Sequence, residues 1–124
     1  MNDMSDVNDF YCSDCIFCRI IKGEIPSRKV YDDEKIYAFH DINPVAPVHF
    51  LIVPKIHMDS LNEVNQNNNM EYVSHMLEKI PELAKCFDIA DGYRVVANIG
   101  EDGGQTVKHL HFHVIGGRKL GYMG

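Results

Sequence analysis

The chain has 124 residues, of which 45% are hydrophobic and 24% charged. This composition is typical of one globular domain and excludes a fibrous or fully disordered chain. The net charge of −6 argues against nonspecific binding of nucleic acid as the main task. No apolar run has the length of a membrane span, and we expect no membrane association. The N-terminal residues show no signal-peptide pattern, so we expect a cytoplasmic or nuclear protein whose four cysteines are thiols or metal ligands.

The first part of the chain predicts a tail, a short helix and a hairpin. Residues 1–14 contain four aspartates and no basic residue, which predicts a flexible acidic tail before a single domain at residues 15–124. Apolar residues at positions 16, 17, 20 and 21 predict a helix of one to two turns, ended by Gly23. Strands at residues 30–31 and 36–39 form the predicted hairpin.

The middle of the chain predicts a buried strand and a long helix. Pro44 and Pro47 indicate a stiff loop, and the continuous apolar run at residues 49–53 predicts a strand buried on both faces. Further on, apolar residues spaced three and four apart predict one buried helix face, formed by Met70, Val73, Leu77, Ile80, Ala84 and Phe87. Pro81 predicts a kink or a second helix start. A fourth strand is predicted at residues 93–98.

The most informative stretch lies near the C-terminus, where His109, His111 and His113 alternate with apolar residues. Period-two alternation is typical of a half-buried strand, with Leu110, Phe112 and Val114 toward the core. The three imidazoles would share one face, roughly 6.5–7 Å apart. Such a row could hold either a metal ion or an anionic group.

These elements amount to five strands, one long helix and one short helix. Most of the connections between the strands are short, which favours an α+β fold with an antiparallel sheet over a doubly wound α/β fold.

The glycine-rich loop before the histidines favours an anion. Gly103 and Gly104 would allow backbone N–H groups to approach a ligand closely. Beside three imidazoles, this arrangement predicts a phosphate site, and imidazole can attack phosphorus as a nucleophile.

Residues 109–115 resemble the signature of the histidine-triad (HIT) superfamily, in which three histidines alternate with hydrophobic residues. Asn98, residues 102–107 and residues 116–118 resemble the HINT branch, the purine nucleoside phosphoramidases. The resemblance continues through residues 16–21, 38–42, 47–50 and 53–55 and covers residues 15–118. It implies a HIT-like fold that dimerises through the long helix and the fourth strand into a ten-stranded sheet.

The resemblance also implies roles for individual residues. His111 would be the nucleophile toward the α-phosphorus, Thr106 would help to protonate the leaving amine, and His49 and His109 would hold the triad in place. The phosphate would contact His113 and Asn98 together with the loop residues Gly104, Gln105, Thr106 and Val107. Asp41 would bind the ribose hydroxyls, and the purine pocket would consist of Ile16, Phe17, Ile20, Phe39 and Ile42. The residues alone leave simpler alternatives open, because the apolar set could be core and Asp41 an Asx-turn cap.

The activity implied is hydrolysis of purine nucleoside 5′-phosphoramidates or acyl-adenylates through a covalent nucleotidyl-histidine, with release of AMP or GMP. Two alternatives stay open: a non-catalytic nucleotide-binding adaptor, and a dinucleoside polyphosphate hydrolase of the same superfamily.

The cysteines form a second constellation, Cys12-x-x-Cys15-x-x-Cys18. One CxxC supplies half of a zinc site. Some family members with a similar stretch bind zinc, whereas others lack the cysteines, so no cofactor is required for the chemistry. We expect a structural zinc ion on Cys15, Cys18, His49 and His109. The alternative is a pair of reduced thiols on an amphipathic helix.

Overall fold

The computed structural model describes residues 14–123, so Cys12 and nearly all of the predicted acidic tail lie outside the described residues. The elements, in chain order, are α1 (Ile16–Ile21), β1 (Lys29–Asp32), β2 (Ile36–His40), β3 (Val48–Pro54), a 3₁₀ turn (Leu61–Glu63), α2 (Asn69–Cys86), β4 (Tyr93–Val96) and β5 (Phe112–Gly116). None of the helices within residues 14–123 combines the length and the apolar character that crossing a bilayer requires.

The five strands form one antiparallel sheet in the order β1-β2-β3-β5-β4. This confirms the predicted α+β class. β3 lies at the centre of the sheet, which explains why six of its seven residues are buried and why its sequence is continuously apolar. β5 lies between β3 and β4, and β4 is an edge strand.

The two faces of the sheet have different covers. On one face, α2 packs against the main core, to which the sheet contributes Ile36, Ala38, Phe50, Ile52, Phe112 and Val114. On the other face, a smaller cluster combines Tyr37, Phe39, Leu51 and Val53 with residues of α1. Because side chains alternate along a strand, His113 lies on this second face, opposite Leu51 on the neighbouring strand. The histidines therefore lie beneath the short helix.

The buried face of α2 differs in part from the predicted one. Val73, Ile80 and Ala84 are buried as expected, but Met70 and Leu77 are about half exposed, at 54% and 50%. The helix contributes Met76 and Leu83 to the core instead. Its buried face is thus rotated from the predicted one, and α2 runs through Pro81 as a single helix without a second start.

The histidine stretch enters the sheet later than its alternation suggests. β5 begins at Phe112, because the preceding backbone groups bond to loops. The His109 amide donates to the Val107 carbonyl at 2.9 Å, and the Leu110 amide donates to the Met58 carbonyl at 2.8 Å. Leu110 is nevertheless buried in the main core, as predicted.

The predicted hairpin between β1 and β2 is present, and Asp33 organises its turn. Its carboxylate accepts hydrogen bonds from the amides of Lys35 and Ile36, from the Tyr31 hydroxyl, and from His75 of α2 at 2.6 Å. These bonds hold the pKa of Asp33 well below its usual value against the opposing effect of burial. The turn is thereby tied to the long helix.

Candidate functional site

His109 is fully buried and makes contacts in three directions. Its Nε2 lies 3.0 Å from the Pro54 carbonyl at the end of β3, and its Nδ1 lies 3.3 and 3.4 Å from the sulfurs of Cys15 and Cys18. A carbonyl can only accept, so Nε2 carries a proton, and in the neutral ring Nδ1 presents a lone pair to the two sulfurs. The backbone carbonyl of His109 accepts a hydrogen bond from the next histidine, His111.

His111 is hydrogen-bonded to that carbonyl. Its Nδ1 lies 2.8 Å from the His109 oxygen and must donate the proton. In the neutral ring, Nε2 is then unprotonated and carries the lone pair that a nucleophile needs. The His111 ring is 6% exposed, and Phe17 of α1 lies edge-on to it with 5.0 Å between ring centroids. His111 is therefore fixed in one tautomer inside a mostly apolar wall.

His113 belongs to a different chain of hydrogen bonds. The Val45 amide donates to His49 Nδ1 at 3.2 Å, so the proton of a neutral His49 lies on Nε2. His49 Nε2 lies 2.9 Å from His113 Nδ1. It also lies 3.4 Å from the Asp41 carboxylate. With Nδ1 of His113 accepting, its Nε2 carries a proton. Nε2 of His113 can thus donate a hydrogen bond, whereas Nε2 of His111 can act as a nucleophile.

Burial keeps these rings neutral. It lowers the pKa of His111, and for His113 burial together with the neighbouring His111 and His49 lowers the pKa to about 4. Burial also lowers the pKa of His49, against the opposing effect of the Asp41 carboxylate. At neutral pH the site therefore holds uncharged imidazoles, whose lone pairs and N–H groups point in fixed directions.

A cavity of about 280 Å³ opens beside this group, and its lining includes Ile20, Phe39, Asp41 and Ile42. All four were predicted to bind a nucleoside. Ile42 is 90% exposed, which is unusual for a core isoleucine and rules out the simpler reading for that residue. Phe17 packs behind Phe39 with 5.6 Å between ring centroids.

Asp41 is partly engaged already. Its Oδ1 accepts the Asn43 amide at 2.7 Å, which is the Asx turn that its sequence context allowed. Its Oδ2 faces His49 and His113. The turn and the polar site therefore share one carboxylate.

Other predicted site residues lie elsewhere. Ile16, Thr106 and Val107 line a second cavity, of about 390 Å³, together with Cys15 and His57. The Gln105 side chain closes its own loop, since it accepts from the Gly100 amide and donates to the Asp59 and Val107 carbonyls.

Gly104 and Asn98 have separate local explanations. Gly104 has φ of +82°, a conformation that favours glycine at this turn. Asn98 follows β4 and is half-buried. Val96, two residues earlier, pairs with His113 in the ladder between β4 and β5.

The metal prediction needs one correction. Cys15, Cys18, His57 and His109 come together, with their ligand atoms all within 4.8 Å of one another, whereas His49 groups with Asp41 and His113. The reason is the length of β3. His49 lies at the start of this seven-residue strand, and the cysteines lie near its other end, where the chain continues to His57.

Both histidines of this Cys₂His₂ cluster are held by their outer nitrogens. His57 Nδ1 lies 3.4 Å from the Cys18 sulfur, and its Nε2 lies 2.9 Å from the Asp59 carboxylate. His109 is held likewise by Pro54. The hydrogen bond from Cys18 lowers the pKa of the Cys15 thiol strongly, and Cys15 in turn raises the pKa of His57. Sequence reasoning missed His57 because it lies in a loop without a metal-binding spacing.

Comparison with known proteins gives consistent results. The profile of the HIT domain family matches residues 22–120. A "14 kDa zinc-binding protein" of Zea mays is 46% identical over 112 residues, which are 89% of this chain and 87% of that protein. Protein HitA of Neisseria gonorrhoeae is 44% identical over 102 residues, covering 82% of this chain and 94% of that protein.

Solved structures agree with this result. A histidine triad protein from Clostridium difficile is 50% identical, with a TM-score of 0.85 over 91% of this chain and 98% of that one. A HIT family hydrolase from Legionella pneumophila is 42% identical, with a TM-score of 0.83 over 87% of this chain and 96% of that one.

Proposed function

The chain belongs to the HIT domain family, and from that premise we propose that it is a hydrolase of the HINT type. Its substrates are purine nucleoside 5′-phosphoramidates or acyl-adenylates, and its nucleotide product is AMP or GMP. The Legionella relative is named a hydrolase, which supports the general reaction class. The single observation that carries the proposal is the division of tautomers between His111 and His113.

The reaction follows from those tautomers. The unprotonated Nε2 of His111 attacks the α-phosphorus, and the bond from phosphorus to the leaving amine breaks. The Nε2–H of His113 donates to a phosphoryl oxygen and stabilises the negative charge that develops there. The Thr106 hydroxyl is the proposed donor of a proton to the leaving amine, and it recovers a proton from the water molecule that attacks in the next step. Water then attacks the nucleotidyl-His111, which releases the nucleoside monophosphate and restores the imidazole.

Nucleotide binding is assigned to the cavity of about 280 Å³. A purine would lie against the apolar side chains of Ile20, Phe39 and Ile42, with Phe17 supporting Phe39 from behind. Asp41 at the rim would accept hydrogen bonds from the ribose hydroxyls. Within residues 14–123, the amides of Thr106 and Val107 donate to no protein acceptor, which supports their proposed role toward phosphate.

Replacement of the nucleophile tests the mechanism. His111→Ala should lower turnover of an adenosine phosphoramidate by at least about 10³-fold, because alanine has no nitrogen that could form the covalent intermediate. Binding of AMP should stay measurable by calorimetry. The matched control is His75→Ala, which removes an imidazole on the α2 side of the sheet and should leave turnover near the level of the unmodified protein.

Three outcomes would contradict the proposal. Undiminished turnover in His111→Ala would exclude a nucleotidyl-histidine at this position. Binding of AMP without turnover of any phosphoramidate or acyl-adenylate by the unmodified protein would favour the adaptor, and turnover of dinucleoside polyphosphates alone would favour the other branch of the superfamily.

We also propose that Cys15, Cys18, His57 and His109 hold a structural zinc ion. Two thiolates and two imidazoles are a common tetrahedral zinc set. The bonds from His57 to Asp59 and from His109 to Pro54 orient the rings as outer-shell partners do for metal-bound histidines. The zinc-binding relative from maize supports the assignment. The ion would brace α1 against the histidine stretch and takes no part in the reaction.

The ligand set is tested by metal content. The purified protein should carry one equivalent of zinc by inductively coupled plasma mass spectrometry. His57→Ala should lose most of it, whereas His49→Ala, which removes the ligand predicted from sequence, should retain it. Loss of zinc in His49→Ala with retention in His57→Ala would reverse the assignment.

A two-fold homodimer is the third part of the proposal. β4 is an edge strand, and such edges readily pair with another chain. Val95 on β4 and Leu77 on α2 are 41% and 50% exposed, which gives each element an apolar surface without a partner in the monomer.

Light scattering at micromolar concentration tests the dimer. The unmodified protein should have twice the mass of the chain, and Val95→Lys should shift it toward the monomer, because a buried, unpaired charge would oppose association. A monomeric mass for the unmodified protein would refute the dimer.

A further inference from the structure

Cys15 and Cys18 form a CxxC motif at the start of a helix. Cys15 is the N-cap residue of α1, and its sulfur accepts a hydrogen bond from the Cys18 amide at 3.4 Å. The two sulfurs lie within 4.8 Å of each other and share one neighbour, Nδ1 of His109. Two cysteine sulfurs this close together can interconvert between a dithiol and a disulfide by thiol–disulfide chemistry.

The two thiols differ in access. Cys15 is 8% exposed and lines the cavity of about 390 Å³, whereas Cys18 is fully buried. A small oxidant entering this cavity meets Cys15 first and finds Cys18 directly behind it. This is the arrangement of an attacking and a resolving cysteine.

We propose that Cys15 and Cys18 are a reversible redox pair oxidised by hydroperoxides. The Cys15 thiolate attacks the terminal peroxide oxygen, the O–O bond breaks, and the alkoxide that leaves takes a proton from water to become an alcohol. The resulting sulfenic acid on Cys15 is attacked by the Cys18 sulfur. A disulfide forms, and one water molecule leaves with the thiol proton. The two sulfurs together give up two electrons, which the peroxide accepts.

The disulfide has a consequence for His109. It removes the two sulfur ligands of the Cys₂His₂ cluster, so a bound metal ion is released, and Nδ1 of His109 loses both of its partners. The carbonyl of that same residue fixes the tautomer of His111. Oxidation therefore weakens the hold on the nucleophile, a step that rests on the proposed hydrolase function. The thiol chemistry itself does not.

The positions of the aspartates allow the disulfide between Cys15 and Cys18 to be located by peptide mapping. Cleavage before aspartate yields a peptide of residues 14–31, which contains Cys15 and Cys18, and separates Cys12 into the peptide of residues 9–13. The zinc-loaded protein is treated with hydrogen peroxide, blocked with an alkylating agent, digested and weighed. In parallel, a chromogenic chelator records zinc release, and hydrolysis of an adenosine phosphoramidate is followed.

The proposal expects the peptide of residues 14–31 to be lighter by two hydrogens and to resist alkylation until a dithiol is added. Zinc should appear at the same rate as the disulfide. Turnover should fall about tenfold, in the range for loss of an outer-shell partner, and should recover after reduction and addition of zinc. Cys18→Ser should stop at a sulfenic acid that dimedone traps on Cys15, whereas Cys86→Ser should behave like the unmodified protein.

Other results would overturn it. An unchanged peptide of residues 14–31, a disulfide to Cys12, or sulfinic acid on Cys15 as the first product would each exclude the redox pair. Formation of the disulfide with unchanged turnover would keep the pair but refute its coupling to His111. A protein that never hydrolyses the substrate still gives the peptide result, so failure of the proposed function is recognised separately.

Discussion

The site depends on the buried imidazole of His109. Its Nε2–H holds the end of β3 through Pro54, its Nδ1 meets the sulfurs of Cys15 and Cys18, and its carbonyl fixes His111. A fully buried polar ring is costly unless its groups are bonded, and here both nitrogens have partners. One residue thereby links the short helix, the central strand and the proposed nucleophile His111.

The three histidines consequently have three different sets of hydrogen-bond partners. Burial favours the neutral form of His111 and His113, which lets the two rings present opposite chemistry, a lone pair on one and an N–H on the other. The hydrogen bonds from the Val45 amide to His49 and from His49 to His113 fix the tautomer of His113, just as the His109 carbonyl fixes the tautomer of His111. The sequence raised a choice between a metal site and an anion site. The fold is compatible with both, because His109 turns toward the cysteines while His113 lies beside His49 and Asp41, and Asp41 lines the proposed nucleotide cavity.

Much of this could be predicted from local pattern. Period-two alternation identified the core residues Leu110, Phe112 and Val114, and the continuous apolar run identified the central strand. The predictions were wrong where contacts between residues distant in sequence determine the structure. Hydrogen bonds to Val107 and Met58 delay the start of β5, tertiary packing rotates the buried face of α2, and the length of β3 brings His57 rather than His49 to the cysteines. None of these constraints has a signal in the spacing of residues.

The central claim, that backbone bonds assign each histidine its role, is tested most directly by nitrogen-15 NMR of the histidine rings. In neutral to mildly alkaline buffer, we expect protons on Nε2 of His109, Nδ1 of His111 and Nε2 of His113, and the His113 ring should gain its second proton only as the pH approaches about 4. A proton on Nε2 of His111, or protonation of His113 near the ordinary histidine pKa, would contradict it.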